Sequence, residues 1–121
     1  MRTRPDHISE ITLPSSTVRV DEAGYLVDPA IWSREFAMMV AVQEGIELTP
    51  LHWEIIEFMR DYNDEHGVMV DVRHVIKHLA KRQDMDKNPA RRLLFEMFPY
   101  GYVKQAVKIA GMKQPRAWST G

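Results

Sequence analysis

A chain of 121 residues with 45% hydrophobic side chains and three tryptophans can fold as one domain with a modest core, and is too apolar to stay disordered. It contains no cysteine, which excludes a disulfide framework, and no apolar run near the roughly twenty residues of a membrane span. The net charge of −1 conceals an asymmetry: residues 1–66 carry 5 Lys+Arg against 13 Asp+Glu, and residues 67–121 carry 11 against 4. Such halves either neutralise each other within the fold or give the molecule one acidic and one basic face. Without an N-terminal apolar signal core, a cytoplasmic location is expected.

Residues 1–10 lack periodicity and read as a flexible leader. Ile11-Thr12-Leu13 and Thr17-Val18-Arg19-Val20 are β-branched runs separated by the turn Pro14-Ser15-Ser16. Asp21 to Gly24 forms a second turn before Tyr25-Leu26-Val27, completing a small meander that needs a helical layer behind it. Asp28-Pro29 opens a short helical turn that directs Trp32 to the core. Ser33 caps a first helix, with Phe36, Met39, Val40 and Val42 inward and Gly45 at its end. Thr49-Pro50 starts a second, running from Leu51 to about Glu65. Leu51, Ile55, Phe58, Met59 and Tyr62 form its core side, and Glu54, Glu57, Asp61 and Asp64 its acidic outside. Asp71 caps a third helix, with Val72, Val75, Ile76 and Leu79 inward and a basic outer side. After a turn at Asp84 to Asp86, Asn88-Pro89 starts a fourth helix presenting Leu93, Leu94, Met97 and Phe98. Val103, Ala106, Val107, Ile109 and Ala110 recur near helical spacing, and Gly111 supplies a helix stop. The reading is one α+β domain over 11–111, a small antiparallel β-meander packed on about five short helices. Residues 112–121 form a flexible C-terminal arm, basic at Lys113 and Arg116 and ending near Trp118.

Three stretches carry a family resemblance. The segment Asp21 to Trp32, DEAGYLVDPAIW, resembles an N-terminal motif of the DsrC/TusE/DsvC family, and His52-Trp53 with Ile56, Phe58, Arg60 and Tyr62 resembles a second. Phe98-Pro99, Gly101, Lys104, Lys108-Ile109-Ala110-Gly111 and Pro115 resemble the family's ending. That family comprises small sulfur-relay proteins, including the gamma subunit of dissimilatory sulfite reductase. The resemblance implies the same fold, and partners drawn from sulfur-transfer pathways. It also implies a persulfide-carrying cysteine near the end, whose position here is Trp118, and in some members a second cysteine, here Val107. The family's Gly-Pro becomes Gly101-Tyr102, and the tail runs two residues longer.

Sulfur relay needs a thiolate that attacks a persulfide or disulfide and leaves again. Neither the indole of Trp118 nor the isopropyl of Val107 does this, and the eight methionines hold thioethers that form no persulfide. Phosphate-cradling glycine loops, nucleotide fingerprints and nucleophile–base pairs are absent from the sequence, so neither a cofactor nor enzymatic activity is expected. His74 and His78 stand at i and i+4 but lack a third ligand, and are read as two solvated histidines rather than a metal site. The expected function is therefore that of a non-carrier interaction or regulatory protein of sulfur metabolism, docking through Lys104, Lys108, Lys113, Arg116 and Trp118. The alternative is a DNA-binding regulator that uses the basic helix pair 71–98, with Arg73, Lys77, Lys81, Lys87, Arg91 and Arg92 on phosphates. The resemblance adds to that alternative, since a helix-turn-helix-like element has been proposed for the family.

Overall fold

The computed structural model describes residues 8–113. Strands β1 (Ser9–Thr12) and β2 (Thr17–Val20) pair antiparallel, with Ser9 opposite Val20 and Thr12 opposite Thr17. The strand begins two residues inside the expected leader. Alternation decides which side of β2 is buried: Val18 and Val20 enter the core, while Thr17 and Arg19 face out. The expected third strand is reduced to a single bridge between Val20 and Leu26. Local competition explains this. The Asp21 carboxylate accepts the amides of Ala23 and Tyr25, curling the chain, and Asp28 caps a 3₁₀ turn, Pro29–Ile31, immediately afterwards.

Four helices follow: α1 (Arg34–Glu44), α2 (Pro50–His66), α3 (Val72–Arg82) and α4 (Lys87–Met97). The Ser33 hydroxyl accepts the Phe36 amide to start α1, and Gly45 ends it in the left-handed region at φ 72°. On α1 the buried side is Phe36, Ala37, Val40 and Ala41; Met39 is half-buried and Val42, expected inward, is 79% exposed. Val42 lies two residues beyond Val40, about 200° around the helix, so both cannot face the core. In α2, Ile55, Ile56 and Met59 are fully buried, whereas Leu51, Phe58 and Tyr62 pack at the core's edge.

The start of α2 is a capping box in which a histidine replaces the usual glutamate. Thr49 Oγ1 accepts the His52 amide, and His52 Nδ1 accepts the Thr49 amide at 3.2 Å. With Nδ1 an acceptor, Nε2 carries the proton and donates to the Met97 carbonyl at 3.0 Å. His52 thereby ties the beginning of α2 to the end of α4, and its ring meets the Phe98 ring edge-on at 5.2 Å.

The acidic and basic halves meet inside the fold. Glu54 on α2 accepts from Arg82 Nε at 2.7 Å, and Glu44 on α1 lies 3.8 Å from Lys108 Nζ. Of the two i, i+4 histidines expected in solvent, His74 is exposed and His78 is half-buried. His78 stacks on Phe58 with ring centroids 4.0 Å apart, and its buried Nε2 lies 3.9 Å from Glu54 Oε2; His74 lies 5.7 Å from the Tyr62 ring. Each imidazole is turned to its own α2 aromatic, so α2 and α3 are joined by ring contacts. Among the described residues, no group of three or more His, Asp or Glu side chains is placed to hold a metal ion, and no helix is long and apolar enough to cross a membrane.

Candidate functional site: the base of the C-terminal arm

After α4 the chain turns at Gly101, whose φ of 109° suits glycine, into a wide π-helical coil, Tyr102–Val107. A short α turn then runs to Gly111 at φ 73°. Sequence periodicity predicts a helix with one buried face. The wider coil buries nearly all of it: Gln105, Ala106, Val107, Ile109 and Ala110 are each 0% exposed. Met112, expected in the arm, is also buried, so the core extends past Gly111.

The carbonyls at the end of a helix lack intrahelical donors. Here side chains supply them. Trp32 Nε1 donates to the Ile109 carbonyl at 2.9 Å and Arg60 Nη1 to that of Ala110 at 2.7 Å, while Tyr25 Oη holds the start of the coil by donating to the Val103 carbonyl at 2.9 Å. The second Arg60 nitrogen donates to the Pro29 carbonyl at 2.9 Å, and the guanidinium lies 4.3 Å above the Trp32 ring. Burial draws the Arg60 pKa down from its usual value, against the opposing pull of Asp64 and Asp61. On the far side, Tyr102 Oη donates to the Val70 carbonyl, and the buried Gln105 accepts from the Tyr100 amide while donating to Glu44. Gly111 completes the clamp, because a β-carbon there would overlap the Trp32 ring.

The tyrosines of this clamp give it a pH limit. Burial, then Asp21 and Glu44, push the Tyr25 phenol up to about 12, and burial, then Asp71, raises Tyr102 further. A raised phenol pKa stabilises the fold fully below the unfolded value of 10.0, and that stability is lost as pH rises through the folded value. Denaturation midpoints should therefore hold steady from neutrality to pH 10 and fall between pH 10 and about 12. A Tyr25→Phe chain should show a shallower fall.

Of the expected docking residues, Lys104 and Lys113 are exposed. Lys108 does not stand free: it is half-buried, beside Glu44 and 5.2 Å from the Tyr25 ring centre. Arg116 and Trp118 lie outside the described residues. Val107 is fully buried under the coil. Of the six residues considered for DNA, Arg73, Lys77, Lys87 and Arg91 line one pocket between α3 and α4, while Lys81 and Arg92 are exposed outside its lining. Sequence reasoning missed Gln105 as a buried polar group and missed the role of Arg60. An arginine one turn beyond Ile56, between Met59 and Tyr62, was the available signal.

The model of the family described as DsrC like protein matches residues 12–117. The chain belongs to the DsrC-like family. It is 39% identical over 99 residues to the sulfurtransferase TusE of Pectobacterium atrosepticum, spanning 82% of this chain and 90% of that one. The oxidised gamma subunit of the dissimilatory sulfite reductase (DsrC) from Archaeoglobus fulgidus superposes with a TM-score of 0.79 at 34% identity, covering 92% of this chain and all of that one. DsrC of Allochromatium vinosum gives the same TM-score at 33% identity, covering 93% and 99%. The two upstream motifs that carry the family resemblance therefore have a structural task here. Tyr25, Trp32 and Arg60 reach across 78, 77 and 50 residues to hold the DsrC-like ending in place.

Proposed function

We propose that this chain is a DsrC/TusE-type docking protein of cytoplasmic sulfur metabolism that engages relay partners without carrying sulfur itself. One observation supports this most directly: the clamp at the base of the arm is complete, while the family's two sulfur-bearing positions hold Val107 and Trp118. A clamp of this build fixes where a tail leaves the body. A tail with Lys113, Arg116 and an indole, beside the exposed Lys104, suits an aromatic anchor within a basic rim. Ser119 and Thr120 offer only hydroxyls, with no activating base placed near them by the sequence. Such a protein occupies a carrier's place on a partner, competing with the carrier or reporting on it.

The test is affinity capture from native cell extract, comparing the full chain with one lacking residues 114–121, a cut that spares the buried Met112. The full chain should retain sulfur-transfer proteins and the truncated one should lose them. Equal retention by both, or recovery of proteins unrelated to sulfur transfer, contradicts the proposal.

A further inference from the structure

We propose that the pocket between α3 and α4 binds a phosphate-type oxodianion, free or carried on a small molecule, at a site separate from the arm. The pocket has a volume of 390 Å³ and is lined by Arg73, His74, Ile76, Lys77, Lys87 and Arg91. Arg73 and Lys77 stand one turn apart on α3, and Lys87 and Arg91 one turn apart on α4, so each helix contributes a cationic pair to the same cavity.

In the basic half, Arg82 is paired with Glu54 and Lys108 with Glu44. Arg73 is held by Asp71, with Nε 3.2 Å from Oδ1, but Lys77, Lys87 and Arg91 have no ion-pair partner among the described residues. Of the acidic side chains on α3, α4, their caps and their junction, Asp71, Asp84, Asp86 and Glu96, none lines the pocket, and Asp71 reaches it only through Arg73. The three unpaired cations, Lys77, Lys87 and Arg91, repel one another across this concave space, and a bound dianion reverses the sign of that energy. Lys87 is also the first residue of α4, so the pocket adjoins the positive end of that helix.

Concavity favours a small ligand over a nucleic-acid duplex. A duplex backbone would be met by all six cations of this face, whereas the cavity gathers four of them and leaves Lys81 and Arg92 outside its lining. The volume is in the range of roughly 300–1,000 Å³ used by small-molecule sites.

Amide NMR of the full chain at constant ionic strength tests this, with sodium phosphate, adenosine monophosphate and duplex DNA as separate probes. Saturable shifts confined to residues 73–77 and 87–91 are expected with phosphate or the mononucleotide. Tighter binding of the mononucleotide identifies a carried dianion, and equal binding a free one. Lys77→Gln or Arg91→Gln should weaken binding about tenfold or more, whereas Arg92→Gln should leave it unchanged. These side chains are exposed, and the unperturbed remainder of each spectrum verifies that the variant is folded. Arg91→Lys, which keeps the charge, should recover most of the affinity. Non-saturating shifts, an equal loss from Arg92→Gln, or DNA binding tighter than both small probes would overturn the proposal.

Discussion

Replacing Gly111 by alanine should lower the unfolding free energy by about 3 kcal/mol, through two separate costs. The first is backbone: φ is 73°, in the left-handed region, where a β-carbon costs roughly 1–2 kcal/mol. The second is steric. The new methyl group would enter the Trp32 ring, and that ring cannot easily retreat. Its Nε1 is bonded to the Ile109 carbonyl, and the Arg60 guanidinium covers its face. Overpacking of this kind costs about 1–3 kcal/mol. Gly45 and Gly67 provide the internal control. Both have φ of 72°, and a β-carbon added at either would meet no atom within 4 Å, so Gly45→Ala and Gly67→Ala should show the backbone cost alone. Urea denaturation of the three variants separates the two costs. Equal destabilisation in all three would mean that the close approach of Trp32 to Gly111 contributes nothing.

Trp118→Cys should convert the chain from one that takes up no sulfur to one that takes it up stoichiometrically. The resemblance of Lys108-Ile109-Ala110-Gly111 to the family's ending implies that position 118 corresponds to the persulfide cysteine, and Tyr25, Trp32 and Arg60 hold the chain as far as Ala110. The thiolate that relay chemistry needs is absent from this sequence. A single modifiable thiol, loaded by a persulfide donor and released by a reductant, is the expected behaviour. A Val107→Cys chain should behave differently, because that side chain is fully buried under the coil and a donor cannot reach it. Loading at Val107→Cys with none at Trp118→Cys would reverse the roles assigned to the two positions.

The helices are legible because their punctuation is local. Ser33, Thr49-Pro50 and Asp71 are start signals that the structure uses as caps, and Gly45 and Gly67 are stops at positive φ. The third strand is not legible, because the Asp21 carboxylate and Asp28-Pro29 both draw the same few residues into turns, a competition that β-propensity alone does not weigh. Counting apolar residues instead of angles misplaces Val42. Spacing alone assigns both α3 histidines to solvent; His74 is exposed, but His78 is half-buried because its stacking partner, Phe58, lies on another helix. The candidate site is half visible. Its tail and missing thiol are plain in the sequence, but the clamp rests on hydrogen bonds between residues 50 or more positions apart. The wide coil of Tyr102–Val107, which buries Gln105 and Val107 together, follows from that tertiary enclosure and not from its own periodicity.

Intact mass after incubation with a persulfide donor tests the absence of carriage most directly. The unaltered chain should emerge at its starting mass, alone or mixed with a cysteine-bearing relative that does load. A stoichiometric gain of the mass of one sulfur atom on the unaltered chain, transferable to an acceptor thiol, would contradict the account.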